Sequence, residues 1–510
     1  MIKQVSGLSE QELLNRLSVL KDSELLFERG IYPKNNFIFK HALTQEVVYD
    51  SILTRKKKEL HNKIGKTIEQ LYKDNLQDHY GVLTEHFISS KNYEKGADYS
   101  KLSEKKAEKA ASINDAISYA KKRIYCLEKL PVDDDVEKKI VSARTVLGLY
   151  YIQLVLPVEA KAAVDPIVEL AIKRNYKRRV SQINVILGFY YHYVDENYPK
   201  AIEYLETALK VAEELNDMLS IVLANNIMGY CLSDNGEFEK AFSCWEKALG
   251  INVMANVKWG IVAIKANIGL WVYGRQGNVE LAYQTSQEAL RIANESGDIF
   301  SKGNANYALG FSYYLKGCLK EGEEHLLKSV DFLQKSNQLV WAGLANFHLS
   351  AIYLGMGEYE TSQKFSERAI SMWQHSSMGS SGMRWNTISI ALAKVMNNEK
   401  DINLDEVFKG HEDIKIKWVK GWALNCIGTI LLNIDDQHIF EAEDWITRSI
   451  KTNQKYGMMW NLARDYALYA ELFKRKGDFP KTKENLSEAI KIFKECGADG
   501  WVKRYEEELV

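Results

Sequence analysis

Three groups of residues have the types and spacing that chemistry can use. The first is Gly65-Lys66-Thr67, which has the form of the closing triplet of a phosphate-binding loop. Such a loop cradles phosphate in backbone N–H groups and needs a glycine five residues before the triplet. Leu60 stands there, inside the helical pattern ELHNKIGKTIEQLY, so no nucleotide site is expected. The second group is His41 with Glu46, and His79 with Glu85 and His86. Neither set has two histidines at i and i+4, the spacing that turns both rings toward one zinc ion, so no metal is expected. The third is Arg55-Lys56-Lys57-Lys58. Four consecutive cations could meet nucleic acid or a partner module, and they are equally the ordinary solvated start of a helix. With no nucleophile arrangement either, the chain is expected to have no catalytic activity and no cofactor.

A fourth group suits binding. Asn184, Asn225, Asn306, Asn346 and Asn386 are separated by 41, 81, 40 and 40 residues, with Lys265 at the intervening place. An asparagine row can hold a peptide backbone through its donor and its acceptor. Phe189, Tyr230 and Phe311 recur in a similar register and could floor the same groove. In the competing reading each amide ties neighbouring helices together and the rings are inter-repeat core. The choice depends on the elements that carry them.

Those elements keep a forty-residue clock. Gly236, Gly277, Gly317, Gly357 and Gly477 are spaced by 41, 40, 40 and 120 residues. Small residues precede them at Gly188, Gly229, Gly269, Gly310 and Ser350, and follow them at Ala208, Ala248, Ala289, Ser329, Ala369, Ser449 and Ala489. Apolar residues on both sides of each turn have helical spacing. The period therefore predicts an antiparallel helix pair per repeat, brought close by small residues and closed by a left-handed glycine. Asn216, Gly297, Asn337, Gly457 and Gly497 mark where the second helix should stop. This is an all-α solenoid that resembles the tetratricopeptide (TPR) repeat, with a period longer than that family's usual ~34 residues. Residues 177–497 accommodate eight repeats, the unit near 380–416 being degenerate for want of a loop glycine. Residues 61–176 read as a degenerate helical-repeat region, in which 92–110 and 113–130 look like second helices of two units, and 498–510 reads as a capping helix. Trp259, Trp418 and Trp460, near the starts of first helices, are expected to wedge between adjacent repeats.

Composition agrees with a helical protein: 46 % hydrophobic, 26 % charged and six prolines in 510 residues. A net charge of −1 gives no global field to recruit nucleic acid or an anionic membrane. Six scattered cysteines without a C-x-x-C pair suggest a reduced, cytoplasmic chain. No signal peptide and no apolar run long enough for a bilayer is recognised.

Residues 1–60 follow another pattern. LSEQELLNRLSVL is an amphipathic helix, SELLFERG and NFIFKH are short strands around IYPKN, and ALTQEVVYDSILT is helical again. Helix, hairpin and helix resemble the end of a winged-helix domain. Phe39-Lys40-His41-Ala42-Leu43, Gln45-Glu46, Tyr49, Leu53, Arg55, Leu60 and His61 resemble the junction that precedes the TPR array in bacterial signal-transduction ATPases of the STAND type, and AIKIFKECGADGWVKRYEEEL resembles their C-terminal tail. The resemblance implies a regulatory TPR arm that binds a protein or peptide on its concave face. It also implies an ATPase module, in many such proteins accompanied by an adenylate/guanylate cyclase, upstream of the junction. A free-standing TPR adaptor and a winged-helix transcription regulator are the alternatives.

Overall fold

The computed structural model describes residues 1–29, 36–374 and 380–509, with the side chain of Ser380 left aside. The chain forms two compact units, Met1–Tyr150 and Tyr151–Val510.

The first unit opens with helices Ile2–Ser6 and Glu10–Asp22, the latter capped where Ser9 accepts from the Glu12 N–H at 3.3 Å. Strands Leu26–Arg29 and Asn36–Phe39 pair antiparallel, Leu26 opposite Phe39 and Arg29 opposite Asn36. The expected turn IYPKN lies outside the described residues. Helices Ala42–Ser51 and Thr54–Leu71 follow. No described residue before Gly65 is buried. Packing begins where Ile68, Leu83, Phe87 and Tyr99 come together. The glycine of the Gly65-Lys66-Thr67 triplet belongs to that contact: a Cβ there would lie 2.9 Å from Phe87 Cζ. The triplet is thus the inside of a helix, with no loop to wrap a phosphate. Helices Tyr93–Lys109 and Ile113–Leu127 are joined by a tight turn at Ala111, whose φ is 55°. This corrects the expectation of second helices from two units: they are the two arms of one hairpin.

In the second unit, Pro166 breaks the helical stretch Pro157–Lys173. Helix pairs then succeed one another. Repeat 1 joins Lys177–Tyr193 to Tyr198–Glu214, and repeat 2 joins Met218–Asp234 to Phe238–Met254. Repeat 3 has a first helix in three stretches, Lys258–Ile268, a π-helical Gly269–Tyr273 and Gly274–Gln276, followed by Val279–Ser296. Repeat 4 is Ile299–Lys316 with Leu319–Lys335, and repeat 5 is Leu339–Met356 with Tyr359–Trp373. Repeat 6 is Ser380–Met396 with the short Leu404–Asp413, and repeat 7 is Lys417–Ile434 with Ile439–Lys455. Repeat 8 is Met459–Arg475 with Phe479–Cys496, and helix Asp499–Leu509 ends the array.

The turn chemistry explains the clock. All five loop glycines have φ between 76° and 84°, and Asn398 (φ 65°) takes the glycine's place in the degenerate repeat 6. The second-helix ends Asn216, Gly297, Asn337, Gly457 and Gly497 are also left-handed, joined by Asn175 and Asn256 at the same phase. Asn tolerates this conformation better than most residues, which keeps the series going where glycine is missing. The seven small residues of the second helices are all fully buried. Gly310 shows why the first-helix series must be small too: a Cβ there would stand 2.8 Å from Leu326 Cγ and 3.0 Å from the Gly322 carbonyl.

The array also coils back on itself. Glu196 in repeat 1 accepts hydrogen bonds from Ser381 N and Oγ in repeat 6, at 3.1 and 2.8 Å. Trp418 in repeat 7 donates to Asp234 in repeat 2 at 2.9 Å. Trp460 in repeat 8 and Trp501 in the terminal helix donate to the carbonyls of Leu315 and Tyr314 in repeat 4, at 2.9 and 3.0 Å. Of the expected wedges between adjacent repeats, Trp418 packs on Trp385 of the neighbouring repeat and also reaches repeat 2. The other two are corrected: Trp460 joins repeats far apart in sequence, and Trp259 is 53 % exposed. One expectation about membranes is also corrected: Leu339–Met356 is long and apolar enough to cross a bilayer, and 72 % of it is buried within the array. Its apolarity follows from its place, packed between the preceding second helix Leu319–Lys335 and its own partner Tyr359–Trp373.

Candidate binding site in the array interior

The asparagine row is interior. Asn225, Asn306, Asn346 and Asn386 are buried, and each side-chain N–H donates to the carbonyl four residues earlier in its own helix, at 2.7–3.0 Å. Asn184 is half-buried. Lys265 pairs with Glu288 at 2.7 Å. Phe189 and Phe311 are buried, and Tyr230 is half-buried. Each buried amide thus spends one of its two N–H groups on its own helix rather than on a neighbouring one, and Asn306 in addition meets the second helix of its repeat, its Oδ1 lying 2.9 Å from His325 Nδ1. Tyr230 alone of the predicted aromatics lines the larger interior cavity described next. Its hydroxyl donates to Asn267 Oδ1 at 2.9 Å, and Asn267 in turn donates to Asn226 Oδ1 at 3.0 Å.

That cavity, of about 60 Å³, lies where repeats 1, 2, 3, 5, 6 and 7 converge. Its walls are aromatic: Trp271, Trp341, Trp385 and Trp418 face Tyr193, Tyr198 and Tyr230. Trp418 is the centre, with ring centroids 5.7 Å from Trp271 and 5.6 Å from Trp385. Two acids enter this apolar space. Asp234 accepts the Trp418 N–H and faces His192 Nε2 at 3.7 Å. Burial pushes the Asp234 carboxyl up to about 7, against the pull of the Trp418 N–H. Burial also lowers His192 to about 3, so its ring is neutral at pH 7. Burial likewise raises Glu196, against its two bonds from Ser381.

Several other polar atoms here are left without partners. Among the described residues, the Trp271 Nε1 and Trp385 Nε1 donors and His192 Nδ1 have no hydrogen-bond partner. Next to them Arg275, only 8 % exposed, lays its guanidinium 3.6 Å from the Trp418 ring centroid and 4.9 Å from that of Trp271. Its Nε and Nη2 are also unpartnered. Buried N–H groups are ordinarily satisfied, and a buried unpaired one marks a site where a ligand or water supplies the acceptor.

Sequence reasoning missed Arg275 and Trp271, although a signal exists. Gly269 and Gly277 are eight residues apart, against seven for Gly229–Gly236 and Gly310–Gly317. The extra residue is taken up as the π-helical turn Gly269–Tyr273, which carries Trp271 and leads directly into Arg275. Single π-turns of this kind recur at functional sites.

In the first unit, Arg55, Lys56, Lys57 and Lys58 lie at the start of helix Thr54–Leu71. Arg55 and Lys56 lie 3.3 and 3.5 Å from Glu59, and Lys57 pairs with Asp50 at 3.2 Å while sitting over the Tyr49 ring. His86 meets a residue the sequence did not suggest: its Nδ1 is 2.8 Å from His61 Nδ1, and His61 Nε2 is 2.9 Å from the Tyr49 hydroxyl. Among the described residues no group of three or more His, Cys, Asp or Glu is arranged to hold a metal.

No family model matches the chain, and no curated protein matches it. Solved structures do. A Signal Transduction ATPase with Numerous Domains (STAND) protein with a tetratricopeptide repeat sensor from Pyrococcus horikoshii is 18 % identical over 81 % of this chain, with a TM-score of 0.45. The chain spans 59 % of that protein. The apo form of the quorum sensor NprR from B. thuringiensis is 13 % identical, over 69 % of this chain and 98 % of its own, with a TM-score of 0.43. A Rap protein complexed with Competence and Sporulation Factor is 11 % identical, over 79 % and 99 %, with a TM-score of 0.39.

Proposed function

We propose that the chain is the regulatory arm of a cytoplasmic signalling protein. In this proposal the TPR-like array receives a protein or peptide signal, and residues 1–60 pass it to an attached STAND-type ATPase module, with or without a cyclase. The observation that carries the proposal is the N-terminal segment. It forms helices and a hairpin yet buries none of its described residues, and Leu43, Val47 and Leu53 are 70, 63 and 78 % exposed. Phe27, Ile38 and Val19 add to the apolar surface. Apolar surface of this extent is characteristic of an interface. The four cations of Arg55–Lys58 support the same reading. They occupy the positive end of a helix that has no acid in its first turn, where the macrodipole disfavours them. An acidic surface on the partner module would reverse that cost.

An antibody to this chain, used on native lysate, tests the proposal. A species well above 58.4 kDa is expected. A band at 58.4 kDa would make the chain a free adaptor. A transcription regulator predicts salt-dependent DNA binding by the purified chain, and its absence would remove that alternative.

A further inference from the structure

A second interior chamber, separate from the first and sharing Trp418 with it, is lined by Arg275, Arg464, Phe311, Phe347, Trp422 and Trp460. We propose that it binds the carboxylate of a small organic acid between the two arginines.

Among the described residues, neither arginine has a carboxylate within 4.0 Å. The two acids that could serve are engaged elsewhere. Asp234 accepts the Trp418 N–H. Asp465 accepts from Asn425, Ser449 and Asn453, at 2.8, 2.8 and 2.5 Å. Arg275 is stacked on Trp418 and has Trp271 and Phe311 at 4.9 and 5.1 Å, and Arg464 has the Trp460 ring at 5.5 Å. Ring faces offset part of the cost of burying a cation, but they accept no ordinary hydrogen bond. Arg275 Nε and Nη2 therefore remain open. A guanidinium presents parallel N–H groups that fit the two oxygens of a carboxylate. The chamber measures about 30 Å³. That is room for about two water-sized atoms, which suits the two oxygens of a carboxylate and is tight for the four of a phosphate. The apolar walls exclude competing water and strengthen the pairing.

Thermal unfolding of the whole chain in sodium acetate, sodium benzoate or sodium phenyl phosphate tests this, against sodium chloride at equal ionic strength and pH. A carboxylate is expected to raise the midpoint by about 2 °C or more over chloride at saturation, with no such rise from phenyl phosphate. Arg275→Met should lose the rise while keeping or raising its midpoint in chloride, because it sheds an uncompensated charge. Arg464→Gln should weaken the rise, and carries the test if Arg275→Met does not fold. The proposal fails if neither carboxylate exceeds chloride, if the rise survives both substitutions, or if phenyl phosphate matches the carboxylates. It does not depend on what covers residues 1–60, so it and the proposed regulatory role stand or fall separately.

Discussion

Residues 1–64 and the array from Lys177 onward are built of similar helices and use them in opposite ways. In the array the first helices bury much of their surface, and Leu339–Met356 buries thirteen of its residues. In the N-terminal segment Glu10–Asp22 and Ala42–Ser51 bury none. The array closes its own surfaces, first against neighbouring repeats and then by returning on itself through Asp234–Trp418 and Leu315–Trp460. The N-terminal segment has helix caps and a paired hairpin but leaves its apolar side chains in solvent. Local signals suffice to form a helix, and burial is a separate matter decided by what lies opposite.

Substitutions can break that contrast in either region. The largest effect is expected at Trp418→Ala, which removes the stack on Arg275 and the bond to Asp234 together. A loss of about 3–5 kcal/mol is expected for a buried tryptophan, read from the midpoint of urea unfolding. A loss under 1 kcal/mol would mean that the contact between repeats 2 and 7 adds nothing to nearest-neighbour packing. Gly310→Ala should cost about 1–3 kcal/mol by forcing the two helices of repeat 4 apart, measured the same way.

Acid should then separate the groups buried in the array. His192, His348 and His411 are held neutral by burial, at about 3, 3 and 4, so below their unfolded value of 6.5 the unfolded chain takes up three protons that the folded chain refuses. Asp234 and Asp465, raised by burial to about 7 from 3.8, act the other way: their contribution is complete below 3.8 and is lost as pH rises through 7. For these five groups the difference is about one proton near pH 5, and their joint contribution to stability should rise with pH there by roughly 1.4 kcal/mol per unit. Asp234→Asn removes one opposing proton and should roughly double that slope. An unchanged slope would show that Asp234 is ionised throughout. The smallest effect belongs to the N-terminal segment. Leu43→Glu and Leu53→Glu should leave the stability of this chain within about 0.5 kcal/mol, because neither side chain is covered. In the proposed assembly the same substitutions should weaken the contact with the ATPase module, read by co-purification.

Much of the array was legible because its signals are local and periodic. A left-handed turn demands Gly or Asn, and close helices demand small residues, so both recur at fixed intervals. The helix–hairpin–helix order of residues 1–60 could be read for the same reason. The site was less legible. Burial of Asn225, Asn306 and Asn346 depends on how tightly the array coils, and no single repeat encodes that pitch. The cavity around Trp418 draws on residues as distant in sequence as His192 and Trp418, and the Asp234–Trp418 bond alone spans 184 residues. Only the extra residue between Gly269 and Gly277 pointed there, and it is a departure from the period rather than part of it.

The return contacts have a mechanical consequence. An array in which each repeat touches only the next one stretches as a soft spring, lengthening smoothly under load. This one is stitched between repeats 1 and 6, 2 and 7, and 4 and 8, so tension between Lys177 and Leu509 must first break those stitches. Pulled from its ends, the array should resist as a latch does, holding its length until the stitches give way in abrupt steps.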